Sequence, residues 1–156
     1  MRLLSLTAII VFLIDQISKW IVIYRLNLPS REAIEVFPPF LVLRMAWNRG
    51  INFGLFSGEA EVTRWALIIL SLVISAWVVW WVRAENAAPR GMVSAGLLLG
   101  GALGNVADRI TLGAVADFLN MSCCGYSNPF SFNIADIAVF AGAFGLILFT
   151  GKENTA

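Results

Sequence analysis

Four stretches of this chain, residues 3–24, 65–82, 91–106 and 134–149, run almost wholly apolar for 16 to 22 residues. A helix needs about 20 such residues to cross roughly 30 Å of hydrocarbon. With 59% hydrophobic and 13% charged residues, against roughly 45–50% and about 25% in soluble domains, a soluble core has no polar surface to clothe it. The expectation is an all-α membrane protein, a four-transmembrane-helix bundle forming one domain over residues 1–156. The third and fourth runs are short, so their ends should be buried in protein. The first is not expected to be a cleaved signal sequence. Asp15 and Lys19 interrupt its core, no small-residue cleavage site follows, and "WIVIY" resumes the apolar run. Trp77, Trp80 and Trp81 close the second run beside Arg83, as an interfacial anchor does. Residues 26–62 contain Pro29, Pro38, Pro39 and four glutamates, with alternating patches such as "FLVLRMAW". They read as a small extramembrane subdomain with short strands.

Several function classes fall away. A formal net charge of +1 with no lysine or arginine tract argues against nucleic-acid binding. The chain has no histidine, which removes serine–histidine and cysteine–histidine catalysis and the usual zinc sites. Cys123 and Cys124 are adjacent and supply neither a four-ligand metal site nor an ordinary loop-closing disulfide. No metal and no cofactor is expected.

The scarce charges converge. Four spans place both termini on one side, so the first and third helices end on the other side and the fourth begins there. Asp15 and Lys19 then lie in the later half of span one, Asp108 and Arg109 at the end of span three, Asp117 in the following loop, and Asp136 at the start of span four. Intramembrane charges cost about 2.5–3.5 kcal/mol each on insertion scales and are usually paired or functional. Six at one depth suggest a site. Asp15, Ser18 and Lys19 share a helix face, as do Asn105 with Asp108 and Asn133 with Asp136. Gly96, Gly100 and Gly104 form a GxxxG stripe leading to Asp108, suited to close helix packing. Asp15 and Lys19 fit a structural ion pair, and Arg109 either serves the site or snorkels to the interface.

Three readings suit four aspartates without histidine. In an aspartic hydrolase, two carboxylates share one proton; the ionised one activates water and the other protonates the carbonyl under attack. A cation or proton pathway is the second, although all the charges lie on one side and the other half of the bilayer lacks a polar path. The third is a non-enzymatic four-span membrane protein that binds a partner.

The residues also resemble a known family. "DQISK" (Asp15 to Lys19), "NRG" followed by "FG" (Asn48 to Gly54), "GGALGNVADR" (Gly100 to Arg109), "GAVADF" (Gly113 to Phe118) and "FNIAD" (Phe132 to Asp136) occur in the order found in lipoprotein signal peptidases. The match spans essentially the whole chain. It implies an aspartic endopeptidase of the bacterial inner membrane, with both termini cytoplasmic and its site toward the periplasm. Such an enzyme removes the signal peptide from a diacylglyceryl-modified prolipoprotein by cleaving before the lipidated cysteine. By motif, the catalytic pair falls on Asp117 and Asp136, with Asp15, Lys19, Asn48, Gly50, Asn105, Asp108, Arg109 and Asn133 binding substrate or supporting the site. The implied partners are the prolipoprotein and membrane lipid, with the protein a monomer and residues 26–62 a periplasmic cradle. Ile51 and Asn52 depart from the small residues more usual after "NRG", and "MSCCGYSN" is not a family motif. Lysine and arginine counts alone favour the opposite orientation: Arg25, Arg31, Arg44, Arg49 and Arg64 outnumber Arg2, Arg83, Arg90 and Lys152.

Overall fold

Small residues decide the architecture, because they let α3 (Pro89–Thr111) sit at the centre of the helices. The computed structural model describes residues 1–38, 40–50, 60–123, 125 and 128–149. α3 opens with Pro89, whose missing N–H is harmless in the first turn of a helix. On one side it meets α1 (Arg2–Trp20); a methyl group added at Gly100 would lie 2.6 Å from the Ala8 carbonyl and 2.7 Å from Val11 Cβ. On another side it meets α4 (Ile134–Phe149), where Gly142 presses on the α3 backbone at Ser94 and Leu98. α2 (Ala60–Ala84) packs along a further flank of α3. Leu4, Val78, Val82, Leu98, Leu99 and Leu146 fill the core at the end where the chain begins.

The outside of the bundle is more apolar than the inside. Leu6, Ile9, Leu13 and Ile17 on α1, Ile69 and Val73 on α2, and Phe140, Phe144 and Ile147 on α4 are all exposed. Water does not tolerate such continuous apolar surface, whereas lipid does. Arg2–Arg25 and Glu61–Ala84 are long and apolar enough to cross a membrane. α4 is apolar but has only 16 residues. α3 has 23 residues and is enclosed by its neighbours, so glycine, serine and asparagine replace the apolar side chains a lipid-facing helix requires. Four α-helices are therefore present among the described residues, and two have the composition of independent spans. α2 and α3 also outrun the expected 65–82 and 91–106, because their polar ends continue the helix beyond the apolar core.

Beyond the bundle lies a sheet in the order β1-β2-β3, formed by β1 (Ile34–Phe37), β2 (Leu41–Asn48) and β3 (Val115–Asn120), antiparallel throughout. The first loop was expected to hold the strands, and it supplies two of them. The third is "VADFLN", from the loop after α3, and it pairs Ala46 with Asp117 and Asn48 with Val115. Five of its six residues are buried, so it lacks the alternation that marks a half-exposed strand. Val22, Leu28 and Phe118 form a small core under the sheet, and α1 reaches it through a widened helical turn at Ile21–Arg25. Ile51, Asn52, Cys124 and Lys152 lie outside the described residues.

Gly100→Ala should wedge α1 from α3 and cost about 1–3 kcal/mol, the usual penalty of overpacking. Thermal unfolding in detergent checks this: the variant should melt below wild type, while Leu103→Ala, on a partly exposed position of the same helix, should change little.

Candidate active site

Asp117 and Asp136 are delivered by different kinds of backbone and joined through one asparagine. Asp117 sits on β3, and Asp136 lies in the first turn of α4. Asn133 precedes α4 and caps it: its Oδ1 accepts the Asp136 backbone N–H at 2.8 Å, and its own N–H donates to Asp136 Oδ2 at 3.2 Å. This reciprocal pair is a capping box, which satisfies two helix-end donors and fixes the third residue of the helix. The same Asn133 side chain donates from Nδ2 to Asp117 Oδ1 at 2.7 Å and to Asn105 Oδ1 at 3.2 Å. One fully buried amide thus orients both carboxylates.

The remaining oxygens are also held. Asn48 Nδ2, at the end of β2, donates to Asp117 Oδ2 at 3.1 Å, and Asn105 Nδ2 on α3 donates to Asp136 Oδ1 at 2.9 Å. Asn48 Oδ1 in turn accepts the Gly50 N–H at 3.0 Å. Gly50 has φ of 100°, a conformation open to glycine and strained for other residues, so its place is to shape the turn that aims Asn48. Arg109 donates to the Asn105 carbonyl at 3.3 Å and lies within electrostatic reach of Asp136, Asp108 and Asp117. It faces the site.

Behind the pair lies a second, fully buried cluster. Lys19 Nζ is 2.8 Å from Asp15 Oδ2 and 2.8 Å from Asp108 Oδ2, and it donates to Asn105 Oδ1 at 3.3 Å. The free oxygen of Asp15 accepts the backbone N–H of Ala135 at 3.0 Å, and Asp108 Oδ2 accepts that of Ala116 at 3.1 Å. Ala135 immediately precedes Asp136, and Ala116 immediately precedes Asp117. Each member of the pair is therefore pinned by the peptide before it, and Lys19 links the two pins. Gln16 Nε2 reinforces the link, reaching Asp15 Oδ2 at 3.1 Å, Asp108 Oδ1 at 3.0 Å and the Gly104 carbonyl at 3.3 Å.

The electrostatics separate the roles of the two clusters. Burial, and then the charge of Asp136, push the Asp117 carboxyl up to about 6, against the hydrogen bonds from Asn48 and Asn133. A carboxyl of this kind holds a proton close to neutral pH, which suits acid–base work. Asp15 and Asp108 already have a cation between them and serve as anchors.

All ten residues singled out from the sequence fall in this region: nine carry side chains of the network, and Gly50 shapes its edge. The Asp15–Lys19 pair is present as expected. Ser18 does not join it, since its hydroxyl donates to the Asp15 carbonyl of its own helix at 2.7 Å, and Gln16 takes that place. Sequence reasoning passed over Gln16, although it stands inside "DQISK" and lies three residues from Lys19. It also passed over the structural use of Asn120, which is buried and donates to the Asn128 and Phe130 carbonyls at 2.8 and 2.9 Å. That asparagine ties down the loop between β3 and α4.

Fold and site define a helix-bundle membrane protein with a paired-carboxylate centre at one end. Residues 7–151 match the family model described as signal peptidase (SPase) II. A lipoprotein signal peptidase of Methylobacterium sp. (strain 4-46) is 37% identical over 145 residues, covering 92% of this chain and 86% of that protein. One from Rhizorhabdus wittichii is 40% identical over 141 residues, covering 90% and 81%. A solved bacterial membrane enzyme superposes with a TM-score of 0.78 at 30% identity, over 96% of this chain and 92% of that one. The chain belongs to the signal peptidase II family.

Lys19→Met should leave Asp15 and Asp108 buried without a cation and cost about 3–5 kcal/mol, as removal of one partner from a buried pair does. Gln16→Ala, which removes neutral donors, should cost about 1 kcal/mol. Thermal unfolding of the two purified variants should reproduce that order.

Proposed function

We propose that this protein is an aspartic endopeptidase that removes the signal peptide from diacylglyceryl-modified prolipoproteins, with Asp117 and Asp136 as its catalytic pair. The carrying observation is Asn133, which binds Asp117 through its side chain and Asp136 through its backbone and cap. A pair positioned by one residue is held in register with itself.

The chemistry follows from the unequal surroundings of the two groups. Asp117, pushed up to about 6, holds the proton. Asp136 lies at a helix N-terminus, where backbone N–H groups and the helix dipole favour negative charge, and it is the ionised partner. Asp136 takes a proton from water, and the water oxygen attacks the scissile carbonyl carbon. Asp117 donates its proton to the carbonyl oxygen as the tetrahedral species forms. The proton gained by Asp136 then passes to the departing nitrogen as the C–N bond breaks, and a hydroxyl of the tetrahedral species returns its proton to Asp117 as the carbonyl re-forms. The products are the amino group of the lipidated cysteine and the carboxylic acid of the signal peptide. No covalent enzyme intermediate is required. Asn48, from the end of β2, and Arg109 are placed to hold backbone carbonyls of an extended substrate. The sheet lies beside them as a cradle.

The four helices would each span the bacterial inner membrane, with both termini cytoplasmic and the site toward the periplasm. The exposed apolar side chains of α1, α2 and α4 support the spans. The buried carboxylates among the described residues lie at the end of α3 away from Pro89, which supports a site at one membrane face; the periplasmic side is inferred from the family. Acyl chains of the substrate would then lie in the bilayer beside the site, where burial favours binding by about 0.8 kcal/mol per CH₂. That energy keeps the lipidated substrate in the bilayer and so confines its search for the site to the membrane plane.

The test is cleavage of a diacylglyceryl-modified prolipoprotein by purified protein in detergent. Asp117→Asn and Asp136→Asn should each lower kcat by at least about 100-fold, and an unlipidated control should be cut poorly. Full activity in either variant would overturn the assignment, and a well-folded wild type that cuts nothing would favour the partner-binding reading. The pH profile provides a second check. Asp117 loses its proton as pH rises through about 6, after which both carboxylates are charged and neither can donate. The kcat/KM should therefore fall on that alkaline side, since this parameter reports groups of the free enzyme.

A further inference from the structure

At the end of the bundle away from the carboxylates, α3 and α4 line an open groove of about 590 Å³. Its walls include Val93 and Leu97 on α3, with Ala141, Gly145 and Leu148 on α4, and Arg90 stands at one end. Small residues form its floor: Gly145 packs on Ser94, whose hydroxyl is turned inward to the Arg90 carbonyl at 2.9 Å. From Arg90 to Leu97 the groove runs roughly 10 Å along α3, at 1.5 Å per residue. It begins roughly 22 Å from Asn105 by the same measure and is separate from the catalytic network.

Two kinds of apolar occupant suit a groove in a membrane-facing helix pair, the apolar segment of a signal peptide and the acyl chain of a lipid. Charge distinguishes them. The Arg90 guanidinium lies over the Phe149 ring at 5.7 Å, which holds it at the mouth of the groove. It forms no salt bridge among the described residues. Arg2 and Arg83 are exposed at the same end of the bundle, with Glu85 the one acidic residue beside them among the described residues. Signal peptides carry their positive charge next to the apolar segment, and this end would repel it. An anionic headgroup is attracted.

We propose that this groove holds one acyl chain of an anionic phospholipid, with the phosphate of its headgroup against Arg90. The proposal rests on the membrane reading given above and is independent of the peptidase chemistry. The chain fills the space over Gly145 and Ala141, and the headgroup neutralises a cation that has no salt bridge among the described residues. Such a lipid would brace α3 against α4 at the end opposite the site.

Native mass spectrometry of the purified protein, incubated with equal amounts of phosphatidylglycerol and phosphatidylcholine, tests this. Wild type should retain one phosphatidylglycerol in preference to phosphatidylcholine. Arg90→Gln should reduce that preference about fivefold, the worth of a single basic residue at an anionic membrane surface. Ala141→Phe, which fills the groove from an exposed position, should lose both lipids, and Arg83→Gln, outside the groove, should behave as wild type. Equal retention of the two lipids by wild type, an equal loss in Arg83→Gln, or displacement of the lipid by a signal peptide would each overturn the proposal. Asp117→Asn should retain lipid as wild type does. A wild-type protein that retains phosphatidylglycerol yet cuts no substrate would therefore sink the peptidase reading alone.

Discussion

Lys19 is the residue on which the rest depends. It is 3% exposed and lies between Asp15 and Asp108, which are 0% and 1% exposed. Three charges in that setting are tolerable only if every polar atom is satisfied, and here the surplus acceptors are filled by backbone N–H groups from β3 and α4. The demand of two buried carboxylates for donors thus determines where the peptides before Asp117 and Asp136 must lie. The cluster works as a fixture. It acts behind the carboxylate pair through Asn105 and the two backbone pins, and the geometry of the proposed pair follows from it.

The fixture requires close approach of helices. Asp15 lies against Gly104: a methyl group added there would fall 2.6 Å from Asp15 Oδ2. With any larger residue at that position, α1 would stand off and its carboxylate would lose the α4 backbone. Packing and polarity are therefore one problem in this protein. The glycines that bring α1 onto α3 also bring the ionised groups within 3 Å of their partners. In a bundle whose outer surface faces lipid, the usual hydrophobic drive between helices is weak, and packing with interhelical hydrogen bonds takes its place.

Much of this was legible in the sequence, because the signals were local. Apolar runs marked α1, α2 and α4, and the GxxxG stripe marked the contact of α3 with α1. The i, i+3 pair Asn133 and Asp136 pointed to one helix face and proved to be a cap. The resemblance to lipoprotein signal peptidases selected Asp117 and Asp136 from four aspartates, a choice that spacing alone left open. What escaped depended on contacts distant in the chain. β3 was missed because a strand buried on both faces shows no alternation, and its partner lies some 70 residues earlier. Gln16 was missed because a neutral amide in an apolar helix gives no sign of the two carboxylates it will bridge. The short hydropathy of α3 likewise reflects its enclosure by other helices, which no window along one helix reports.

The bond from Ala135 to Asp15 joins residues 120 apart. At about 5–20 residues per second of synthesis, roughly 6–24 s separate the emergence of the two. Throughout that interval Asp15 and Lys19 are already in place on the first helix, while the peptide that completes their coordination has yet to be made. Assembly of the carboxylate pair is thereby tied to completion: a chain stalled before α4 has neither Asp136 nor the cap that aims it. A nascent chain built in this order carries no assembled carboxylate pair until its fourth helix has been made.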